Sequence, residues 1–300
     1  MRSVSRRLSR YVAPAATHLA RCPIRLVAHV LVVDELTDLP SWWNCMPRLH
    51  LFEFEDQPWF PTALRGAMTG YLAATYRITP FPAIWAERIA KLVRPAASCE
   101  IVDLGSGSSG PMPLVMNHLK ELGIAAQATL TDLYPNAKHW NNRDPAIRYW
   151  PDPVDAGNVP SQLTGIRTMF ASFHHLAPES ATQILADAFR QRRAICIFEA
   201  TSRTPAAIAT TVLIPLLVLL LTPRVRPISW IQIVFTYLIP ILPFLIFWDG
   251  LVSQLRTYSP AELADLSRDL RSDSYQWEIG TIDIPRLPAG VPYLIGRPIG

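Results

Sequence analysis

Charge is scarce in this chain. Only 17% of its 300 residues are Asp, Glu, Lys or Arg, whereas about a quarter of the residues in soluble domains are charged. Lysine occurs only as Lys91, Lys120 and Lys138. Most of the deficit lies between Ala206 and Trp248, where two long segments carry no charge. The remainder has the length of one large α/β domain.

Cysteine is sparse as well, and its placement excludes two kinds of site. Cys22, Cys45, Cys99 and Cys196 occur singly, without a CxxC pair and without zinc-site spacing. Nothing in this pattern indicates a disulfide framework or an oxidising compartment. We therefore expect no metal centre.

Acidic residues are missing before Asp34, although the same segment is rich in arginine. Only Tyr11 lies among these arginines, so an aromatic platform for nucleic acid is not supported and we expect no nucleic-acid partner. Residues 1–50 are interpreted as a basic, irregular N-terminal arm. A juxtamembrane basic segment, a solvated tail and a mitochondrial transit peptide all fit this composition.

Hydrophobic periodicity divides the rest of the chain into a helical part and an α/β part. Residues 51–98 predict a helical cap, with helices that begin near Pro61 and Phe81. From residue 99 onward, short apolar runs alternate with helical segments, which predicts a doubly wound, mostly parallel sheet. Predicted strands lie within 99–105, 126–133, 147–153, 166–176 and 193–201, followed by a closing antiparallel pair within 275–284 and 291–298.

The first predicted strand ends in the glycine-rich turn VDLGSGSSG. Gly105, Gly107 and Gly110 have the GxGxxG spacing, which lets a ligand approach the backbone closely. Alone this is a weak signal, shared with dinucleotide-binding enzymes. Asp103 sharpens it, because a carboxylate beside the turn repels a pyrophosphate but attracts a cationic ligand. A nicotinamide-type turn is the alternative.

Acids also follow the next two predicted strands. Asp132 ends the second strand, where a carboxylate can accept hydrogen bonds from ribose hydroxyls, and Leu133 and Tyr134 can pack on an adenine. Asp155 and Ala156 follow the third strand, where the carboxylate can accept from an adenine amino group. The alternatives are a simple loop residue for Asp132 and a surface turn for Asp155.

Residues 99–300, apart from an apolar insert, resemble class I S-adenosylmethionine (SAM)-dependent methyltransferases. VDLGSGSSG resembles the first motif of that family, LTDLY its ribose-binding acid, VDAGNVP its adenine loop, and FASFHHL the loop after its fourth strand. The resemblance implies a seven-stranded Rossmann-like sheet, SAM as cofactor, and methyl transfer as the activity. It also implies that Ser106 and Ser172 contribute to cofactor binding.

The residues that would act on the acceptor are less specified. His174 and His175 are the candidate catalytic residues, because an imidazole suits general-base catalysis at neutral pH. A structural role, with one of them capping the next helix, is the alternative. Glu199 and Trp59 are candidate substrate-binding residues; for Glu199, a salt-bridged loop acid fits equally well.

Residues 204–250 are predicted to form a membrane-associated helical hairpin between 99–203 and 251–300, the two parts of the catalytic domain. Of its two uncharged segments, 228–248 has about 21 residues and can span a bilayer, whereas 206–221 has about 16 and falls short. Short length, kinking prolines and two arginines in the turn favour a re-entrant or one-leaflet hairpin. Two full spans, a dimer interface and a covered helix pair are the alternatives.

Together these features predict SAM-dependent methyl transfer to a lipophilic small molecule or a lipid, by an enzyme bound to the membrane through residues 206–248. Because SAM is cytosolic, we expect the catalytic domain to face the cytoplasm. A nicotinamide-dependent membrane oxidoreductase and a non-catalytic membrane scaffold with the same fold are the competing interpretations. The sequence patterns specify neither the methyl acceptor nor the oligomeric state.

Overall fold

The computed structural model describes residues 28–32, 46–93, 99–135, 144–285 and 287–299. Most of the basic arm lies outside these residues, so its interpretation stays a prediction. The described residues contain one eight-stranded sheet. Its strands are β1 (Ala28–Val32), β2 (Cys99–Leu104), β3 (Ala126–Thr131), β4 (Ile147–Tyr149), β5 (Ile166–Phe170), β6 (Ile195–Phe198), β7 (Tyr275–Ile282) and β8 (Val291–Pro298).

The strand order confirms the predicted doubly wound fold. Five parallel strands run in the order β4-β3-β2-β5-β6, and β8 and β7 close the sheet as an antiparallel pair beside β6. The order reverses between β2 and β5, which is where ligands bind in sheets of this kind. All seven predicted strands are present.

An eighth strand extends the sheet beyond the prediction. The backbone of β1 pairs antiparallel with β7, with Ala28 opposite Ile282 and Val32 opposite Glu278. The sequence predicted no strand here, because a short apolar run does not reveal a pairing partner about 250 residues away.

Helices cover both faces of the sheet. The α-helices in the described part of the chain are α1 (Thr62–Ile78), α2 (Phe81–Ala90), α3 (Met112–Glu121), α4 (Pro178–Arg190), α5 (Pro205–Thr210), α6 (Ile214–Leu221), α7 (Trp230–Ile233), α8 (Ile241–Arg256) and α9 (Pro260–Leu266), of which α2, α3, α4 and α9 lie on the sheet. Local sequence explains several helix starts. At α9, for example, Ser259 accepts from the backbone N of Glu262 and Pro260 occupies the first turn.

The core has one apolar layer on each face of the sheet. Helices α2 and α3 pack on one face, where Trp85 is fully buried and its ring lies 5.1 Å from that of Phe170. Helices α4 and α9 pack on the other face, over residues such as Ile197 and Leu294. The central strands are therefore buried on both sides, as their continuous apolar sequences require.

The apolar insert is joined to the cap rather than isolated from the domain. Met68 and Tyr71 of α1 form a buried cluster with Val218 of α6 and with Leu242 and Ile246 of α8. Helix α8 also continues to Arg256, six residues past the predicted end of the insert.

The insert differs from the prediction in which segment is long. Residues 205–224 form one apolar helical run of 20 residues, because Thr204 caps its start and short 3₁₀ turns prolong it. The second segment breaks instead: 230–238 and 241–256 meet at an angle of 89°. One helix is thus long and apolar enough to cross a membrane, and the bent pair has the shape of a broken span or a re-entrant loop. The expectation that the first segment is the short one was wrong.

Candidate active site

The glycine turn is shaped to leave its backbone open. Gly105, Gly107 and Gly110 have φ values of +65°, +52° and +48°, which side chains with a Cβ rarely adopt. A Cβ placed on Gly107 or Gly110 would meet no atom within 4 Å. The backbone here borders free space, which fits a turn that receives a ligand.

Asp103 lies buried beside this turn without a cationic partner. Its carboxylate accepts from Thr168 Oγ1 at 2.7 Å, and among the described residues it forms no ion pair. Burial, with a smaller contribution from the charge of Asp132, raises the pKa of Asp103 to about 7, although the hydrogen bond from Thr168 acts to lower it. A buried acid with this pKa is poised to ionise when a cation arrives.

Asp132 lies at the same edge, directly against the glycine turn. Its carboxylate accepts from the backbone N of Gly107 and from the backbone N of Tyr134, each at 2.8 Å. The side chains of Leu133 and Tyr134 are 48% and 83% exposed, so both are free to cover a ligand. Asp103, the glycines and Asp132 are thus brought together, as the sequence predicted.

The acid after β4 is placed close by but forms a local turn. Val154 N donates to the backbone O of Asp132 at 2.9 Å, which brings this loop beside Asp132. Asp155 is exposed and accepts from Gly157 N at 2.8 Å, and Ala156 is half-buried beside it. This is the geometry of the surface-turn alternative, and it leaves the second carboxylate oxygen of Asp155 available.

The two candidate serines have different environments. Ser106 Oγ donates to the backbone O of Asp103 at 2.9 Å and accepts from Thr131 N, so this hydroxyl fastens the turn to β2 and β3. Ser172 Oγ is buried without a hydrogen-bond partner among the described residues. Of the two, Ser172 has the hydroxyl that a ligand can engage.

His174 is held by Glu199 at the end of β6. Glu199 accepts from the backbone N of His174 at 2.9 Å and from its Nδ1 at 2.8 Å. Because an ionised carboxylate can only accept, Nδ1 carries a proton, and in the neutral imidazole Nε2 then keeps a free lone pair. His174 is buried, and Nε2 has no hydrogen-bond partner in the described structure. Glu199 thus has the geometry of the salt-bridged alternative, and its two oxygens orient His174.

His175 belongs to an ionic cluster that the sequence analysis missed. Its Nδ1 lies 3.0 Å from Asp56 and 3.6 Å from Glu53, and Arg256 of α8 contacts both acids. Burial raises the pKa of Glu53 to about 7, although His175 and Arg256 act to lower it. The two imidazoles pack with ring centroids 4.3 Å apart, so the cluster and the Glu199–His174 pair form one unit.

Trp59 lies elsewhere. Its side chain is 66% exposed on the cap and packs edge-on against Phe54 and Phe60, next to the insert. Two shallow cavities of about 390 and 330 Å³ lie at the opposite edge of the sheet, near Glu100 and Thr164. They touch none of the candidate residues, so we assign them no part in the chemistry.

No protein-family profile and no curated protein sequence matches the chain. Among solved structures, it is similar to the pyocyanin biosynthetic protein PhzM, with 14% identity over 72% of this chain and 54% of that chain, and a TM-score of 0.41. The mitomycin 7-O-methyltransferase MmcR gives 15% identity, 72% and 53% coverage, and a TM-score of 0.41. A SAM-dependent methyltransferase from Aquifex aeolicus is 11% identical over 72% of this chain and 89% of that chain, with a TM-score of 0.38.

The chain thus spans about half the length of PhzM and MmcR. At these identities and TM-scores the likenesses do not decide an activity. The strand order and the carboxyl-edge residues of the chain itself carry the functional argument.

Proposed function

We propose that this protein transfers a methyl group from SAM to a lipophilic small molecule or lipid at a membrane surface. The observation that carries the proposal is the convergence of Asp103 and Asp132 on an open glycine turn at the switch point of the sheet. When bound, SAM supplies an electrophilic methyl group on a sulfonium.

The residues present fit this cofactor better than a dinucleotide. Asp103 offers a buried negative charge to the cationic amino-acid end of SAM, whereas it would oppose a pyrophosphate. Asp132 keeps lone pairs free for the two ribose hydroxyls, and Ser172 Oγ is available as a further hydrogen-bonding group. This supports the methyltransferase interpretation over the nicotinamide-dependent one.

His174 can prepare an oxygen acceptor for methylation. Its Nε2 lone pair can take the proton of an acceptor hydroxyl while Glu199 stabilises the imidazolium that results. SAM held by Asp103 and Asp132 would supply the methyl group to this acceptor oxygen, with the thioether sulfur as the leaving group. Positioning the reactants in line contributes the largest share of the rate.

The insert supports a membrane location for this chemistry. Residues 212–244 expose fourteen large apolar side chains, and only Arg224 and Arg226 in that range are charged. So large an exposed apolar surface is typical of membrane or protein contact. The exposed residues are Val212, Leu213, Leu216, Leu217, Leu219, Leu220, Ile228, Trp230, Ile233, Tyr237, Leu238, Ile239, Ile241 and Phe244. We propose that they enter the cytoplasmic leaflet, with the catalytic domain in the cytoplasm.

Cofactor identity is tested by calorimetry on the full-length protein in detergent, with SAM and NAD as separate ligands. We expect SAM to bind and NAD not to bind. Asp132→Asn keeps an acceptor for Gly107 N but removes a charge-assisted bond to the ribose, so SAM affinity should fall at least about tenfold. NAD binding without SAM binding would refute the proposal in favour of the oxidoreductase, and binding of neither would favour the scaffold.

Membrane attachment is tested by flotation with phospholipid vesicles. Deleting the insert would also remove packing against α1, so point substitutions are cleaner. We expect the double variant Leu216→Glu/Leu220→Glu to stay with the soluble fraction, because charge at exposed positions opposes insertion. The matched control is Leu122→Glu/Leu287→Glu, at similarly exposed positions outside the insert, which should float like the unmodified protein. Equal flotation of both variants would contradict a role of the insert.

A further inference from the structure

The cluster at the end of β5 contains three potential metal ligands within reach of one another. Each of Glu53, His174 and His175 offers one ligand atom, and these three atoms lie within 4.8 Å of one another. His174 Nε2 is 3.9 Å from Glu53 Oε1, and His175 Nδ1 is 3.6 Å from Glu53 Oε2. Ligand atoms of a tetrahedral site with bonds of about 2 Å are about 3.3 Å apart. These two contacts would have to shorten by about 0.6 and 0.3 Å to reach that value, and the remaining ligand pair, within 4.8 Å, by at most about 1.5 Å.

His174 is already arranged as a metal ligand. Its Nδ1 donates to Glu199 at 2.8 Å, which leaves the lone pair of Nε2 directed towards Glu53. This nitrogen belongs to a side chain that is only 3% exposed, and it has no hydrogen-bond partner among the described residues. A carboxylate behind the second nitrogen is the usual support of a metal-binding histidine. The buried, unpartnered Nε2 thus supports a ligand site independently of the distances.

The surrounding charges favour a cation of more than one charge. The carboxyl groups of Glu53, Asp56, Glu199 and Asp249 gather here. They outnumber the guanidinium groups of Arg48 and Arg256 that contact the same loops. Arg256 is paired with Asp56 at 2.7 Å and with Glu53 Oε1 at 3.3 Å, so these two carboxylates share in compensating its charge. A bound divalent ion would balance the remaining negative charge.

We propose that Glu53, His174 and His175 bind a divalent transition metal such as Zn²⁺. His175 Nδ1 would exchange its contact with Asp56 for the metal. Two nitrogens and one carboxylate oxygen suit zinc, and three protein ligands leave an open position of the kind found in catalytic sites. His175 is 31% exposed, which gives this position access from solvent. With a metal bound, His174 Nε2 would no longer be free to act as a base; if the proposed methyl transfer is correct, an acceptor hydroxyl at the open position would instead lose its proton to solvent more readily.

The test uses the full-length protein in detergent, freed of metal by chelation and titrated with Co²⁺ as a coloured substitute. We expect intense visible bands that saturate at one equivalent and disappear when Zn²⁺ is added. Glu53→Gln keeps an oxygen for the hydrogen bond from Ser253, so the fold should persist while Co²⁺ affinity falls at least tenfold. Glu199→Gln should weaken binding about 10- to 100-fold through loss of its support of His174.

His118→Ala provides the matched control, since His118 is a surface histidine on α3 whose side chain pairs, among the described residues, with Glu121 alone. It should bind Co²⁺ like the unmodified protein, and thermal unfolding verifies that each variant is folded. Absence of bands at one equivalent, or unchanged binding by folded Glu53→Gln, would overturn the proposal. SAM calorimetry on the same samples separates the hypotheses: SAM binding without metal binding refutes only the metal site, and metal binding without SAM binding refutes only the methyltransferase.

Discussion

Replacing Asp103 by Asn should change how the stability and the SAM affinity of the protein depend on pH. The carboxyl group is buried, and its pKa of about 7 lies well above the ordinary value of 3.8. Between these two values the folded protein holds a proton that the unfolded chain has lost. Asp103 therefore stabilises the fold fully below about pH 4, and this contribution is lost as the pH rises through 7.

The structure gives the size of this effect. At pH 5 the group is two pH units below its folded pKa, and each unit corresponds to about 1.4 kcal/mol. The free energy of unfolding should therefore lose about 3 kcal/mol between pH 5 and pH 8 through Asp103 alone. Asn has nearly the same shape and cannot ionise, so the variant should lack this loss. The opposite dependence applies to SAM, whose affinity should rise more than tenfold from pH 5 to pH 7, because the ionised carboxylate attracts it.

Denaturant unfolding in mild detergent, followed by tryptophan fluorescence at several pH values, measures the first quantity, and calorimetry measures the second. Glu100→Gln is the matched control, because Glu100 is an exposed acid at the other end of the same strand. It should leave both pH profiles unchanged. A constant stability difference between the unmodified protein and Asp103→Asn from pH 5 to pH 8 would refute the reasoning, as would SAM affinities with the same pH slope in both.

Two further variants test the orienting acid and the sheet. Glu199→Gln should lower the turnover number roughly 10²-fold or more while SAM affinity stays constant, because the Nδ1 partner of His174 loses its charge. Steady-state kinetics measures the first quantity and calorimetry the second. Unchanged turnover would contradict a base at His174. Gly165→Ala should destabilise the fold by at least about 1 kcal/mol. The new Cβ would lie 2.6 Å from the backbone O of Glu100, and the φ of residue 165 is +135°. A melting temperature equal to that of the unmodified protein would contradict the β2–β5 register.

Sequence reasoning predicted the features that depend on neighbouring residues. Alternating apolar runs and helical stripes identified β2 to β8, and the spacing of Gly105, Gly107 and Gly110 identified the turn after β2. Asp132 could be placed because the carboxyl ends of parallel strands meet at one edge of the sheet. Each of these inferences needs only a local pattern and the topology of the fold.

Features formed by distant segments were missed. Glu53 and Asp56 look like ordinary loop acids, and only the fold brings them to His175 and Arg256, over 100 residues further along the chain. A charged residue at the end of an apolar helix was one available signal, because Arg256 follows the uncharged segment closely. The first apolar helix was predicted too short for a local reason. An uncharged run need not end where the helix ends, and here Thr204 and the 3₁₀ turns extend the helix beyond the run.

The polar face of α8 has a consequence for how lipid can act on this protein. Asp249, Ser253 and Arg256 lie about one turn apart and hold the chain from Glu53 to Asp56, while the other half of the same helix exposes Phe244. Helix α8 therefore connects the exposed apolar surface at its first half to the chain beside the histidines at its second half. If the exposed apolar residues enter a bilayer as proposed, its thickness would set the tilt of this helix and thereby act on the histidine cluster, and a foreign anchor of equal hydrophobicity would not restore that control.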